Sequence, residues 1–146
     1  MVKIVQYEAK YRDDMLFCYL LAKDAIGKPT LKDDLLDIEQ NYHARGDVFY
    51  LAIDENDRVV GMVGTKTVSA DEMWLKRLFV KPDLKGQGVG TKLLDAAMKF
   101  AVGKDVTAIH TRFANWYHEA AIFYPAKGFV DADHDGQLRH MVKKVK

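Results

Sequence analysis

The stretch Leu78-Phe79-Val80-Lys81-Pro82-Asp83-Leu84-Lys85-Gly86-Gln87-Gly88-Val89-Gly90-Thr91-Lys92-Leu93-Leu94 constrains this chain more than any other. An apolar strand enters a proline turn, glycines follow at alternate positions, and the chain then becomes amphipathic and helical. Glycine has no Cβ, so its backbone turns tightly and comes close to a ligand. The first turn of a helix leaves N–H groups unpaired, and the helix dipole makes that end positive. A phosphate fits such a junction. The chain is therefore expected to hold a phosphorylated ligand where a strand passes through a loop into a helix. It lacks the Gly-Lys-Ser/Thr ending of a Walker loop. Its G-x-G-x-G spacing, past the middle of the chain, also departs from the G-x-G-x-x-G that follows the first strand of a dinucleotide fold. Taken alone, the spacing also fits a glycine-rich turn with no ligand.

At 146 residues the chain has the length of one domain with a proper core. No linker, repeat or low-complexity run divides it, so residues 1–146 are read as a single domain. A net charge of +1 argues against a nucleic-acid surface built on bulk charge. The basic end, Lys143-Lys144-Val145-Lys146, reads as a solvated tail. A single cysteine, Cys18, excludes an intramolecular disulfide framework, and its apolar neighbours mark it for burial. No apolar run reaches membrane-spanning length, and a charge interrupts the apolar N-terminal stretch. The reading is a soluble cytoplasmic protein with no membrane partner. The histidines are scattered, without a paired helical motif, so no metal is expected.

The pattern of elements is that of an α+β domain. Residues 2–8 alternate as a strand. Residues 11–26 carry Met15, Leu16, Tyr19, Leu20 and Ile26 near helical spacing, with Gly27 and Pro29 as stops. A second helix is expected from Leu31, capped by Thr30 with Asp33 in its first turn. Leu31, Leu35, Ile38 and Tyr42 share one face, and Gly46 ends it. Antiparallel strands follow at 48–54, 58–68 and 72–80, joined by turns at 55–57 and 69–71. The glycine loop feeds a helix over 90–102, then come a strand over 106–113 and a helix over 118–126 ended by Gly128. Two last strands start at Phe129 and span 137–145. The order is β-α-α-β-β-β-α-β-α-β-β. Within 72–80, Met73 and Leu75 lie on one parity and Leu78 and Val80 on the other. A β-bulge near Lys76-Arg77 produces such a slip; so does a strand buried on both faces.

Val80-x-Pro82-x-x-Lys85-Gly86-x-Gly88-x-Gly90 resembles the acetyl-coenzyme A signature of the GNAT superfamily of N-acetyltransferases, R/Q-x-x-G-x-G/A preceded by V-x-P. Downstream, Ala120-Ala121-Ile122-Phe123-Tyr124-Pro125-Ala126-Lys127-Gly128-Phe129 resembles the family's A-x-x-x-Y-x-x-x-G-F segment. Two motifs in the right order are far more specific than either alone. The resemblance covers residues 48 to 130 well, and the N-terminal third fits in its pattern of elements. It implies a GNAT-like fold, a mixed, mainly antiparallel central sheet flanked by helices, with a bulge beside the acetyl group. It also implies acetyl-CoA as co-substrate and transfer of acetyl to an amine by direct attack in a ternary complex, without a covalent acyl-enzyme.

Site residues follow from the resemblance position by position. Backbone N–H groups from Gly86, Gln87, Gly88, Val89, Gly90 and Thr91 would face the pyrophosphate, and the Thr91 hydroxyl would add a contact. Lys85 brings a point charge where the family has Arg or Gln, without the bidentate fork. The backbone of Leu78, Phe79 and Val80 would pair with the pantetheine arm like an added strand, and an N–H there would face the oxyanion. Tyr124 is the candidate general acid, since a phenol is protonated at neutral pH; alternatively it is a core tyrosine. Glu72 is the candidate base, through water, against a solvated turn residue. His110, His118 and Glu119 are weaker candidates with structural readings of their own. The family's asparagine ahead of the tyrosine finds Tyr117 in its place, with Asn115 two residues earlier. Asn115 is carried over as a cofactor contact on a differently shaped loop, and Trp116 and Tyr117 are alternatives for lining the acceptor pocket.

The acceptor is expected to be a small-molecule or peptide amine. Asp33, Asp34, Asp37 and Glu39 make the second helix acidic, which hints at a cationic amine or simply a solvated face. A homodimer completed by a partner strand is left open. The rival to an enzyme is a non-catalytic acyl-coenzyme A sensor or partner module.

Overall fold

The computed structural model describes residues 1–27 and 31–145; Pro29 and Thr30, read above as a stop and a cap, lie outside the described residues. The strands are β1 (Lys3–Gln6), β2 (Phe49–Ile53), β3 (Val59–Thr67), β4 (Glu72–Val80), β5 (Ala108–Ala114), β6 (Val130–His134) and β7 (Leu138–Lys144). They form one sheet in the order β1-β2-β3-β4-β5-β7-β6. Neighbours are antiparallel except β4 and β5, which run parallel. The expected α+β layout is the one found. No helix among the described residues is long and apolar enough to cross a membrane.

Helices cover both faces, and each face has its own core. On one side lies α1 (Arg12–Ala25), whose Met15, Cys18 and Tyr19 are buried with Leu35, Ile38, Phe49, Leu51 and Met62. Asp14 ties this helix to the sheet: its carboxylate accepts from the Arg58 guanidinium at 2.6 and 3.0 Å and from the Val59 N–H at 2.7 Å. On the other side lie α3 (Val89–Gly103) and α4 (His118–Ala126). The α3 residues Val89, Leu93, Leu94, Ala97 and Ala101 recur at helical spacing, and all are buried against Val63, Met73, Leu75 and Ile109. Each such leucine contributes about 1.5–3 kcal/mol by leaving water.

The second helix is not the continuous one expected from Leu31 to Gly46. The chain makes a 3₁₀ turn at Asp33–Leu36, a short helix α2 (Ile38–Asn41) and another 3₁₀ turn at His43–Arg45. Asp37 makes the break. It sits at φ −144°, ψ 84°, outside the helical region, and its carboxylate accepts the Gln40 N–H at 3.0 Å. A side chain that caps its own following turn competes with a continuing helix. Leu35, Ile38 and Tyr42 are buried as expected, while Leu31 is 40% exposed.

The bulge is in β4. Met62 opposes Phe79 and Gly64 opposes Lys76, so β4 carries one residue more than β3 across this interval. Arg77 adopts φ 59°, a left-handed conformation that costs a non-glycine residue about 1–2 kcal/mol. Beyond it the faces exchange: Met73, Leu75, Leu78 and Val80 all meet the core under α3, and Phe79 turns to the core under α1. Opposite the bulge, a Cβ on Gly64 would lie 2.6 Å from Tyr42 and 2.7 Å from Phe49, so only glycine lets those rings close over β3.

Arg77 is held by Asp34, whose oxygens accept from its guanidinium at 2.7 and 3.1 Å and from the Tyr42 hydroxyl at 2.5 Å. Burial alone would raise the Asp34 carboxyl; the hydrogen bonds from Arg77 and Tyr42 outweigh it and hold the group below its ordinary value. This stabilisation is complete above the unfolded carboxylate value of about 3.9 and is lost as pH falls through the lower folded value. Asp34→Asn is expected to cost about 1–3 kcal/mol at neutral pH, the scale of hydrogen bonds to a charged group. Urea midpoints at pH 7 and at successive steps below pH 4 check this: the variant should start less stable and lose less on acidification.

Candidate active site

β4 and β5 pair only at Glu72–Ala108, Met73–Ile109 and Trp74–His110. Past Trp74 the two strands diverge, which leaves the β5-facing edge of Leu75 to Val80 without a strand partner among the described residues. A cleft of about 370 Å³ fills this opening over the start of α3. Leu78, Phe79 and Val80 form one wall, the loop residues Lys85, Gly86, Gly88, Gly90 and Thr91 the floor, and Tyr117, Phe123 and Tyr124 the other wall.

The floor has the shape that the glycines allow. Gly86 and Gly88 both adopt φ +83°, and a Cβ on either would meet no atom within 4 Å. They are there for backbone conformation, and the space beside them is open. Gly88 is the N-cap of α3, so no side chain caps the first-turn N–H groups, and that turn holds no acidic residue. The helix ladder begins with the Lys92 N–H on the Gly88 carbonyl at 3.1 Å. The amides of Val89, Gly90 and Thr91 therefore lie ahead of the ladder at the positive end of the dipole, which suits an anion.

Lys85 spans the mouth of the cleft. Its ammonium donates to Glu119 Oε2 at 2.5 Å and to the Tyr117 hydroxyl at 3.4 Å. Burial pulls the Lys85 ammonium down, but its bond to Glu119 outweighs this and leaves it above its ordinary value, firmly charged. Glu119 thus engages the ammonium at the mouth of the cleft.

Tyr124 closes the inner end. It is 7% exposed, stacked on Phe113 at 5.5 Å and set edge-on to Phe123 and Phe129 at 5.2 Å each. Burial pushes its phenol up to about 12, against a hydrogen bond with Thr111 that lowers it. At neutral pH it is a proton donor. On its far side lies a second cleft of about 340 Å³, lined by Arg77, Phe113, Trp116 and Leu138 among others. The two clefts share Leu78, Phe79, Tyr117, Ala120 and Tyr124. Two molecules entering from opposite sides would meet at this phenol.

The structure gathers Leu78, Phe79, Val80, Lys85, Gly86, Gly88, Val89, Gly90, Thr91 and Tyr124 around the first cleft, while Gln87, Asn115 and Glu72 do not line it. Gln87 is exposed on the outer side of the loop. Asn115 pairs its N–H with the Gln137 carbonyl at 2.9 Å, and its side-chain oxygen is buried with no hydrogen-bond partner among the described residues. Glu72 lies at the far end of β4, 3.1 Å from His110 Nε2. His110 in turn meets His140 at 2.8 Å, and Trp74 stacks on both rings. Sequence reasoning missed Leu84, Ala120 and Phe123 as walls. Ala120 and Phe123 stand in the tyrosine segment; Ala120 lies one helical turn before Tyr124, which was an available signal, whereas Phe123 is its direct neighbour and periodicity does not select it.

Residues 45–131, more than half of the chain, match the family model described as the acetyltransferase (GNAT) domain. Over 100 residues the chain is 33% identical to "Probable N-acetyltransferase camello" of Xenopus laevis, covering 67% of this chain and 46% of that protein. The chain thus spans about half the length of the curated relatives it matches. Many solved structures share its fold, two of them as follows. A GNAT-family acetyltransferase from Staphylococcus aureus Mu50 superimposes over 100% of both chains with a TM-score of 0.89 at 22% identity. A PaiA N-acetyltransferase from Thermoplasma acidophilum, in complex with coenzyme A, covers 99% of both with a TM-score of 0.82 at 18% identity.

Two outcomes follow for coenzyme A titrated calorimetrically into the purified chain. Gly88→Ala forces a side chain into a left-handed conformation at the floor; it should lower stability by about 1–2 kcal/mol and weaken coenzyme A far more than its melting shift suggests. Unchanged affinity would place the phosphates elsewhere. Glu119→Gln should release Lys85 and tighten coenzyme A by about two- to tenfold at low ionic strength, less at high salt. A weaker complex would show that Glu119 organises the mouth rather than competing for it.

Proposed function

The chain belongs to the GNAT acetyltransferase family, and from that premise we propose that it transfers an acetyl group from acetyl-coenzyme A to an amine by direct attack in a ternary complex. The observation that carries this reading is the meeting of two clefts at Tyr124, one floored by an uncapped helix start.

Acetyl-coenzyme A supplies an activated thioester. The first-turn amides of α3 and the ammonium of Lys85 hold its pyrophosphate, which fits the open, Cβ-free floor at Gly86 and Gly88. The free edge of β4 from Leu75 to Val80 takes the pantetheine arm as an added strand. A β4 N–H next to the bulge faces the carbonyl oxygen as negative charge develops there. The amine nitrogen attacks the carbonyl carbon from the second cleft. The new C–N bond forms, the C–S bond breaks, and the Tyr124 hydroxyl gives its proton to the departing sulfur. The surplus proton of the amine goes to water, since Glu72 stands at the far end of β4. Tyr124 is reprotonated from solvent, completing the cycle.

Tyr124→Phe removes one oxygen and keeps the ring stacked on Phe113. Turnover should fall by about 10²–10⁴-fold with coenzyme A affinity nearly intact, the scale of losing a general acid. Thiol release from acetyl-coenzyme A in the presence of an acceptor amine measures this, with coenzyme A titration and thermal melting alongside. Full turnover in the Phe variant would remove Tyr124 from the chemistry. Coenzyme A binding with no amine acetylated by the wild-type chain would favour a non-catalytic sensor.

A further inference from the structure

The second cleft carries charge of one sign. Its wall takes Lys23 from α1, Arg77 from the bulge and Arg112 from β5, and no aspartate or glutamate lines it among the described residues. Asp34 offsets Arg77 from behind, which leaves the guanidinium of Arg112 as the charge that the cleft wall presents without an acidic neighbour on it. Aromatic faces position two of these cations: Lys23 sits over Tyr19 and Phe79 at 5.9 and 5.7 Å, and the Arg112 guanidinium lies over Trp74 at 4.8 Å. Lys76, beside the bulge, reports the same field. Burial first, then the charges of Arg77, Lys66 and Arg112, push its ammonium below the ordinary value.

The acidic residues that hinted at a cationic amine are already engaged. Asp34 is bound by Arg77 and Tyr42, Asp37 caps α2, and Glu39 lies 2.7 Å from His43 Nδ1. None of them lines the cleft. Apart from the hydroxyl-bearing Thr111, Tyr117 and Tyr124, the remaining wall is mainly apolar, with Leu75, Leu78, Phe113, Trp116 and Leu138.

A wall of this kind has two effects on an acceptor. It attracts an anionic group and aligns it through charge-assisted hydrogen bonds from guanidinium and ammonium. It also disfavours an ammonium nearby, so the attacking nitrogen is held as the neutral base that the chemistry requires. The second effect supplies what a side-chain base would otherwise do. On the premise that this cleft receives the acceptor of an N-acetyltransferase, we propose that the acceptor is an amine bearing a carboxylate on an apolar body, an amino-acid-like molecule, with Arg112 as its carboxylate contact.

The test uses L-phenylalanine, its methyl ester and phenethylamine, in which the carboxylate is present, masked and absent on one body; L-leucine and isoamylamine repeat it on an aliphatic body. Each is titrated calorimetrically into the full chain saturated with coenzyme A. The free carboxylate should improve affinity by about tenfold or more, the scale of one hydrogen bond to a charged group. Arg112→Gln should collapse that ratio toward one, and Arg112→Lys should restore part of it. Equal or inverted affinities, binding by none of the amines, or a ratio indifferent to Arg112→Gln would overturn the proposal. The two readings separate cleanly. A chain that fails to bind coenzyme A loses both. One that binds it and, given acetyl-coenzyme A, preferentially acetylates the amines without a free carboxylate keeps the acetyltransferase reading and loses only the anionic acceptor.

Discussion

The candidate site depends on one surplus residue in β4. The bulge at Arg77 turns the strand so that Leu78 and Val80 replace Leu75 on the face under α3, and β4 then leaves β5 after Trp74–His110. Without that divergence the two strands would zip along their length, and no cleft would exist between them. A left-handed arginine is an unfavourable conformation, so it persists only because its neighbours specify it. Asp34 does so through a bidentate pair, Tyr42 steadies Asp34, and Gly64 makes room for Tyr42 over β3. The irregular segment at 33–45, which contributes little regular structure, is thus the brace for the opening in the sheet.

Charge divides the opening into two unlike ends. Towards the glycine loop lie the uncapped amides of α3 and the ammonium of Lys85, which Glu119 engages. Towards the open face of the sheet, Arg112 stands on a wall that no carboxylate lines among the described residues. Between them sits a phenol that burial keeps protonated. A donor that is held by its phosphates and an acceptor that is held by a carboxylate would both be oriented by their charged ends, with their reactive ends left at the apolar centre. That arrangement lets binding energy far from the reacting atoms position them.

Much of this was legible in the chain. The strand–glycine–helix junction predicted α3 and its uncapped start, because glycine at alternate positions before an amphipathic run has few other uses. The parity change between Leu75 and Leu78 fitted the bulge that the structure shows, because side chains alternate with a period of two and an extra residue shows as a slip. A strand buried on both faces would have shown the same change. The second helix was misread for an equally local reason. Leu35, Ile38 and Tyr42 keep helical spacing, but Asp37 between them uses its carboxylate on the Gln40 N–H, and periodicity is blind to that competition.

Composition, periodicity and the paired motifs determined the class of fold, the order of its elements, the glycine loop that floors the first cleft and the tyrosine worth testing, since each rests on residues close together in the chain. Only the tertiary structure decided what surrounds them. Asp34 reaches Arg77 across 43 positions, Lys85 reaches Glu119 across 34, and Arg112 comes to the same wall as Lys23 through the packing of α1 on the sheet. The sign of the second cleft reversed the hint from the acidic segment for the same reason. Charges act through space, and a linear sequence records how many there are but not which of them already have partners.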